Sequence, residues 1–542
     1  MYFGRSGRWS FTSLCALFLP ALFLFCIGAL TNITLPGVYM DAVNPDYAVV
    51  GVLNWTSHIQ TWLLPGTLLF GHWPVLGQIY HGALPFYLGL PFYALFGTGV
   101  VGIRLTNMMF GCLVILGMGV FLRAAGVRLF IASLCLMLLA LDPEFLFSFR
   151  TQFYITLLPI ALVFISAALV EARQNAPSRL VVFLAGLFAG LACYGYFIFF
   201  FLTPALAFLA LYRWRGLPRL TLLFWIAGFC LGVFPYFIGI VAIMTAMGGL
   251  HGFLVLMRGY LLALNVQNSA LPLLQRVHFF YYLLHGSILD IGPSLMMLHV
   301  VTPLLLPGWK FLLLLLVPAV AVVSALLRPQ RIIGLLFVIG LVAGFFLLVL
   351  VFGNRLWFHH AALLVPVLYT GLALSLERIT LCFPLRLSRG LEAACVVVLL
   401  PLLIANASDR QALFLQLEAT GGVGYSSDAI DRFAEDAMRE KNKTYVFFPD
   451  WGAFMQFAMI TRGTIPYSTV FSTAEAKAVL CQGQDAEVVL MAGKADGRLK
   501  QWDANVGWPA GTSIYAQRDG TPVLLVARWK AAQRPPGMCP AP

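Results

Sequence analysis

Long apolar stretches recur along roughly the first three-quarters of the sequence, and they constrain the fold more than any short motif does. Hydrophobic residues make up 61% of the 542 residues, charged residues only 10%, and the mean hydropathy is +0.88. A helix needs about 20 apolar residues to cross a bilayer. Strands of a membrane barrel alternate apolar with polar residues, and these stretches do not. The sequence therefore predicts a polytopic α-helical membrane protein and excludes an ordinary soluble one.

Eleven spans are predicted, with the N-terminus inside and the C-terminus outside. Arginines concentrate in alternate turns, such as Arg123 with Arg128 and Arg213 with Arg215, as the positive-inside rule requires. The formal net charge of +12 is spread over such turns and does not indicate nucleic-acid binding. The predicted spans lie near residues 11–30, 99–122, 129–141, 153–171, 180–198, 199–212, 220–246, 308–327, 332–352, 358–377 and 391–406.

Two outer segments of this predicted membrane domain, residues 1–406, are longer than turns need to be. Residues 31–98 form a first outer loop that contains the stretches "HIQTWLLPGTLLFGHW" and "GALPFYLGLPFYALFG". Both are too short and too interrupted by proline to cross the bilayer, so we expect them to lie in the membrane interface. Residues 247–307 form a second, large outer loop.

Residues 407–542 have a different composition, with more charges and glycine, and are long enough for a small extracytoplasmic α/β domain. The stretches "KTYVFFP" and "AEVVLMAG" are typical of buried strands. A hairpin is predicted to turn at Asp519–Gly520. Cys481 and Cys539 are the only cysteines of this tail, and an oxidising envelope compartment favours a disulfide between them. The alternative is that Cys481 is simply buried on its helix. The sequence has no Cys/His spacing typical of a structural zinc site.

Two carboxylates follow the first apolar stretch, in "YMDAVNPDYAVVG". Acids at membrane depth are costly and tend to mark function, which favours a functional role for Asp41. The alternative is that Asp41 caps a helix. Asp46 lies in the sequence "NPDY", where a structural turn is as good an explanation as a functional one.

The stretch "FGNRLWFHHAALLVPVLY" places Arg355 between two very apolar helices. The planar fork of an arginine suits phosphate oxygens, and aromatic side chains suit a lipid chain. Arg355, with Trp357, His359 and His360, is therefore a candidate site for a lipid-linked phosphate. The alternative is an arginine that extends to the membrane interface beside an interfacial tryptophan.

The order and spacing of these stretches over residues 10–400 resemble the GT-C class of membrane glycosyltransferases. The similar branch contains the protein O-mannosyltransferases and the lipid A aminoarabinose transferase. The matching stretches are "DAVNPDY", "HGALPFYLGLPFYALFG", "GIRLTNMMFG", "FSFRTQFYITLLPIAL", "LACYGYFIFFFLTPAL" and "NRLWFHHAALLVPVLY". The sequence departs from the family pattern at Ala42, Gly82 and Gln152, where members often have an acid, a proline and an acid.

The resemblance implies an enzyme that moves a sugar, with inversion, from a polyprenyl-phosphate carrier to a lipid, glycan or protein acceptor on the outer side. It implies Asp41 as the general base and Arg355 as the residue that stabilises the leaving phosphate. It also implies substrate contacts from Asp46, Tyr47, His81 and Arg150. An expected location is the inner membrane of a bacterium, with the site facing the periplasm. A divalent ion, Mg²⁺ or Mn²⁺, bridging Asp41 and phosphate is compatible with the pattern, but no dedicated ligand set is evident.

Two other functions are open at this point. A transporter or flippase of a lipid-linked sugar would carry polar or broken helices near the middle of the membrane, often in repeated halves, and the sequence has neither. A glycan polymerase or ligase would be expected to use Arg258, Arg276 and His278 of the large outer loop.

Overall fold

The computed structural model of the chain describes residues 10–44, 46–54, 64–172, 177–263, 271–327, 332–382, 388–440, 444–450, 452–494 and 497–539. Each predicted span coincides with a helix over most of its length. The helices before the large outer loop are α1 (Phe11–Leu30), α2 (Val49–Leu53), α3 (Leu84–Phe96), α4 (Val100–Ala124), α5 (Leu129–Leu141), α6 (Pro143–Ser148), α7 (Tyr154–Ala172), α8 (Arg179–Gly195), α9 (Phe199–Arg213) and α10 (Arg219–Ala246). Those that follow are α11 (Leu250–Ala263), α12 (Leu273–Ile288), α13 (Ile291–Leu298), α14 (Pro307–Phe311), α15 (Val317–Leu327), α16 (Ile333–Phe352), α17 (Phe358–Ala361), α18 (Leu364–Leu381) and α19 (Ser388–Thr420).

Seven segments of the described chain are helical, long and apolar enough to cross a membrane, and they lie in α1, α4, α7, α10, α16, α17–α18 and α19. Helices α5, α8 and α9 and the segment Pro307–Val323, which were predicted as spans, are apolar but shorter. Helix α3, in the first outer loop, is also short and apolar. The chain is therefore a mostly helical membrane protein, while the count of eleven spans and the orientation stay predictions.

Helices α8 and α10 pack closely because glycines face each other across their contact. A Cβ atom on Gly186 would lie 2.0 Å from the carbonyl oxygen of Trp225, and one on Gly228 would lie 2.0 Å from that of Phe183. Small residues allow helix backbones to approach one another in a membrane, where apolar side chains gain little from leaving the lipid. This contact fixes α10 against the helices that carry the candidate site.

The first outer loop is only partly helical. After α2 come two small hairpins, made of β1 (Leu68–Leu69) with β2 (Trp73–Pro74) and β3 (Leu76–Gln78) with β4 (His81–Gly82), and then α3. Residues 55–63, part of the first aromatic stretch expected in the interface, lie outside the described residues. The second hairpin brings His81 beside the start of α9.

Helix α19 continues beyond the end of the last predicted span. Asp409 and Arg410 are polar, but neither stops a helix, and the segment contains no glycine or proline between Pro401 and Gly421. Gly421 and Gly422, with φ of +71° and +93°, follow the end of the helix, as glycine commonly does. The division proposed at residue 406 therefore falls inside a continuous helix that ends at Thr420.

Beyond α19 the chain forms a mixed sheet with helices, in the order α20 (Ala429–Arg439), β5 (Thr444–Phe447), α21 (Phe454–Ile460), β6 (Tyr467–Ser468), α22 (Thr473–Cys481), β7 (Asp485–Met491), α23 (Arg498–Val506), β8 (Gly511–Ala516) and β9 (Pro522–Trp529). The strand order is β6-β5-β7-β9-β8, with β5 parallel to both of its neighbours and β9 antiparallel to both of its own. Strands β8 and β9 form the predicted hairpin, in which Gly520 has φ of +88°. The predicted Cys481–Cys539 disulfide is present.

The predicted orientation has a direct test. A reporter fused after Trp529 is expected to behave as extracytoplasmic, and one fused at Pro218 as cytoplasmic, because the arginine-rich turns should stay inside. Paired alkaline phosphatase and fluorescent-protein fusions measure this. A tail on the cytoplasmic side would contradict both the orientation and an outward-facing site.

Candidate active site

A cavity of about 420 Å³ opens between the first outer loop and the outer ends of several helices. Six of the nine residues predicted for the site line it: Asp41, His81, Arg355, Trp357, His359 and His360. The other lining residues are Asn44, Ile79, Tyr80, Gln152, Ile155, Tyr196, Phe197, Tyr236, Met257, Phe352 and Leu356. Side chains far apart in the sequence thus line one open cavity.

Asp41 lies in a short 3₁₀ turn, Met40–Val43, directly after the segment that leaves α1. Burial raises the pKa of the Asp41 carboxyl to about 6, although hydrogen bonds with the side chains of Tyr39 and Asn44 act in the opposite direction. A carboxylate with this pKa is ionised at neutral pH and is a stronger base than an exposed aspartate. The turn therefore presents to the cavity a carboxylate of raised basicity.

Arg355 enters the cavity at the end of α16. Gly353, with φ of +59°, ends that helix, and a 3₁₀ turn over Gly353–Arg355 leads into α17. Arg355 is the only arginine or lysine among the described residues that line the cavity. It therefore supplies a positive charge to the space that Asp41 faces.

His360 is held in one tautomer. The backbone N–H of Trp357 donates to Nδ1 of His360 at 2.9 Å, so a neutral ring carries its proton on Nε2. That Nε2 lies 3.1 Å from the hydroxyl oxygen of Tyr196 and donates to it. The hydroxyl of Tyr196, itself a lining residue, is thereby oriented at the cavity wall.

Two more histidines line the cavity. The side-chain amide of Gln152 donates to Nδ1 of His359 at 3.2 Å, and the hydroxyl of Thr156 donates to the carbonyl oxygen of the same residue at 2.6 Å. His81 is 2% exposed and its ring stacks on Tyr196, with centroids 6.0 Å apart. Burial lowers the pKa of His81 to about 4, so this ring is neutral at physiological pH. His81 therefore offers hydrogen bonds and no positive charge.

The structure places Asp46 and Tyr47 away from the cavity lining. Asp46 is fully buried and accepts a hydrogen bond of 2.8 Å from the hydroxyl of Tyr93. Burial raises its pKa to about 7. Tyr47 is also fully buried, and its ring meets Phe454 of α21 edge-on, with centroids 6.2 Å apart. Both contacts favour a structural role.

Arg150 likewise contacts the protein interior rather than the cavity. Its guanidinium donates to the carbonyl oxygens of Leu35 at 2.7 Å, Asn32 at 2.9 Å and Ala29 at 2.9 Å, and lies 4.9 Å from the ring centroid of Phe414. Burial lowers its pKa well below the ordinary value. These bonds hold the end of α1 and the segment after it, which makes Arg150 a structural clamp in this conformation.

The three residues that a polymerase or ligase would be expected to use do not line the cavity. Arg258 and His278 are exposed, and Arg276 donates to the carbonyl oxygens of Leu271 and Leu350. Conversely, the lining residues Tyr196 and Tyr236 were not selected from the sequence. Tyr196 lies in "CYGYF", a polar interruption between two apolar helices, and that interruption was the available signal.

Within the described residues, no group of three or more His, Cys, Asp or Glu side chains is arranged to hold a metal ion. The Mg²⁺ or Mn²⁺ ion suggested by the resemblance stays an untested prediction.

The chain thus combines a helical membrane domain with an acid-bearing loop after α1 and a cavity where this loop meets the ends of several helices. The solved structure of ArnT from Cupriavidus metallidurans, bound to undecaprenyl phosphate, shares this fold with the chain. The two align with a TM-score of 0.55 and 12% sequence identity, over 98% of this chain and 100% of that one. The resemblance to the GT-C class is thereby confirmed at the level of the fold.

Two further solved structures align with lower scores, which carry no conclusion about the chain. The Pmt1-Pmt2 protein O-mannosyltransferase complex of S. cerevisiae, bound to the sugar donor, has a TM-score of 0.33 and 15% identity over 43% of this chain and 34% of that one. The arabinofuranosyltransferase AftD from Mycobacteria has a TM-score of 0.42 and 14% identity over 97% and 40%. No protein-family model matches the sequence. No curated protein matches it either.

Proposed function

We propose that the chain is an inverting glycosyltransferase that moves a sugar from a polyprenyl-phosphate carrier to an acceptor hydroxyl on the outer side of the membrane. The observation that carries the proposal is that Asp41 and Arg355, a base and a cation, line the same cavity. Hydrolysis and transfer at a phosphate-linked sugar both need these two functions. The fold, which the chain shares with the GT-C glycosyltransferase ArnT, favours transfer over hydrolysis.

The donor class is supported by two features. ArnT, whose fold the chain shares, was solved with undecaprenyl phosphate. Beside Arg355, Trp357 is 67% exposed and offers an aromatic face to an isoprenoid chain at the cavity wall. A guanidinium with adjacent aromatic surface suits the junction between a phosphate and a lipid tail.

The reaction follows from these positions. Asp41 accepts the proton of the acceptor hydroxyl, whose oxygen attacks the anomeric carbon of the sugar. A carbon–oxygen bond forms on one face of the sugar while the bond to the phosphate oxygen breaks on the other, so the configuration inverts. The leaving polyprenyl phosphate keeps the electron pair, and Arg355 stabilises the charge that develops on it.

The location that fits this reaction is the inner membrane of a bacterium, with the cavity facing the periplasm. The disulfide between Cys481 and Cys539 supports an oxidising compartment for the tail.

The function is tested by mass analysis of envelope lipids, glycans and glycoproteins from cells with and without the protein. Loss of one sugar from one acceptor class, restored by the wild-type chain and not by Asp41→Asn, is the expected result. Unchanged envelope sugars, together with no transfer by the purified protein from a panel of polyprenyl-phosphate sugars, would refute the proposal.

The pH dependence of transfer follows from the raised pKa of Asp41, about 6. The base is active when deprotonated, so kcat/KM should be constant above the pKa and fall about tenfold for each pH unit below it. Transfer at pH 5 is therefore expected to be about tenfold slower than at pH 8. Initial rates in mixed buffers of constant ionic strength measure the profile. This decrease of kcat/KM at low pH, the acid limb, should persist in Asp46→Asn and vanish from the residual rate of Asp41→Asn. If it persisted in Asp41→Asn, the titrating group would be a residue other than Asp41.

A further inference from the structure

Residues 36–38 precede the 3₁₀ turn Met40–Val43 that carries Asp41, here named the catalytic turn, and they are held from two sides. From the membrane domain, the guanidinium of Arg104 donates to the carbonyl oxygens of Pro36 at 2.6 Å and Gly37 at 3.4 Å. From the tail, both carboxylate oxygens of Asp431 accept the backbone N–H of Val38 at 3.1 Å. Asp431 lies on α20 and is 5% exposed. The backbone between α1 and Asp41 therefore depends on a side chain almost 400 residues away.

The same contact leaves no free space around the segment. A Cβ atom on Gly37 would lie 2.2 Å from the carbonyl oxygen of Ser427 in the tail. Met40 and Val43, the two ends of the catalytic turn, are fully buried in one apolar cluster with residues of α20 and α21, such as Ile430 and Phe454. Asp41 is thus carried by a turn whose anchors are packed against the tail.

We propose that Asp431 is a positioning residue, and that the tail acts as a part of the active site by holding the Asp41 turn in place. The side chain of Asp431 fixes the amide of Val38, three residues before Asp41. Burial raises the pKa of Asp431 to about 7, although this hydrogen bond and the nearby Arg104 guanidinium act in the opposite direction. Without this bond the turn can rotate or open toward water. The inference rests on the proposed glycosyl transfer only where activity is the readout.

The experiment compares three full-length variants in detergent or nanodiscs. Asp431→Ala removes the acceptor, and Asp431→Asn keeps one oxygen that can accept from Val38. Arg498→Ala is the matched control, because it breaks the tail ion pair with Asp450, at 2.9 Å, without touching residues 36–44. Each variant is first checked for a monodisperse profile and an unchanged melting temperature of the membrane domain.

The first readout needs no activity. Hydrogen-exchange mass spectrometry should show at least about tenfold faster exchange in the peptide spanning residues 37–44 of Asp431→Ala, a smaller change in Asp431→Asn, and wild-type exchange in Arg498→Ala. Equal exchange in all three would overturn the proposal, and so would equal acceleration in Asp431→Ala and Arg498→Ala. If Asp431→Ala does not fold, the exchange rates of Asp431→Asn and Arg498→Ala in the same peptide are compared instead. Faster exchange in Asp431→Asn than in Arg498→Ala is then the expected result, and equal exchange would overturn the proposal.

The second readout is the reaction itself. In Asp431→Ala, kcat should fall about tenfold or more because the base is misplaced, while binding of undecaprenyl phosphate stays within about twofold of wild type. The acid limb of kcat/KM should also move to lower pH, because an opened turn hydrates Asp41 and removes the burial that raises its pKa. The groups that face Asp41 (Tyr39, Asn44 and Tyr154) are unchanged in this variant. A lower kcat with an unmoved limb would mean a general loss of stability and would overturn the positioning role. If the wild type transferred no sugar, the proposed function would fail. The hydrogen-exchange result would still decide whether Asp431 holds the Asp41 turn in place.

Discussion

Asp41→Asn is expected to lower the turnover of sugar transfer by at least about 10²-fold, the usual contribution of a general base. The amide keeps the shape of the side chain and can still form hydrogen bonds with Tyr39 and Asn44, but it cannot accept the proton of the acceptor hydroxyl. Binding of the lipid-phosphate donor should change little, because the phosphate contacts Arg355 rather than Asp41 in the proposed arrangement. Initial rates of transfer at matched membrane expression measure the first effect. Binding of undecaprenyl phosphate to the purified variant, by tryptophan fluorescence, measures the second.

Asp46→Asn is the control for this variant, because it makes the same chemical change in the same loop. Asp46 is fully buried against Tyr93 and does not line the cavity, so a smaller loss of activity is expected. If Asp46→Asn transferred no sugar and Asp41→Asn were nearly as active as the wild type, Asp46 and not Asp41 would be the general base. Full activity in both variants would remove the acid–base mechanism.

Arg355→Ala should weaken both donor binding and turnover, since the phosphate is present before and during the reaction. A hydrogen bond between charged groups contributes about 1.5–3 kcal/mol, which corresponds to a loss of about 10- to 10²-fold in affinity for undecaprenyl phosphate. Turnover should fall by a larger factor, because charge on the leaving phosphate grows toward the transition state. Arg355→Lys should recover part of the affinity as a point charge without the planar fork.

Arg258→Ala is the matched control for charge. Arg258 is exposed on α11, next to the lining residue Met257, and does not line the cavity. We expect it to bind and transfer like the wild type. The opposite result, a loss at Arg258 with none at Arg355, would favour the polymerase or ligase interpretation of the large outer loop.

The helical part of the fold was predictable because apolar runs of span length leave one structural solution in lipid. The predicted span 153–171 differs from α7 by one residue at each end, and the span 220–246 differs from α10 by one residue at its start alone. The end of α19 was not predictable from apolarity, since its last turns leave the apolar segment while remaining helical. Composition reports the environment of a segment, whereas glycine and hydrogen bonding decide where its helix ends.

A residue of the candidate site was predictable from the sequence when its charged side chain costs free energy in an apolar environment. Asp41 and Arg355 were selected for that reason, and both line the cavity. The resemblance also suggested Arg150, but its guanidinium is bound by backbone carbonyls that no local pattern reveals. Asp142, another acid in an apolar context, pairs with Lys310, with the two charged groups 2.7 Å apart. The free-energy cost of placing a charge in an apolar context therefore identifies the charged residue, but only the fold identifies the group that it binds.

Helix α19 runs without interruption from the apolar segment near residue 391 to Thr420, just before the tail that carries Asp431. An uninterrupted helix turns by about 100° for every residue. The rotation of the tail about the axis of α19 is therefore set by the number of residues in that helix. Adding or removing one residue near Ser408 would swing Asp431 around the helix axis and away from Val38, however conservative the inserted residue. On the proposed mechanism, the length of this helix thus helps to position Asp41, the acid that lines the cavity.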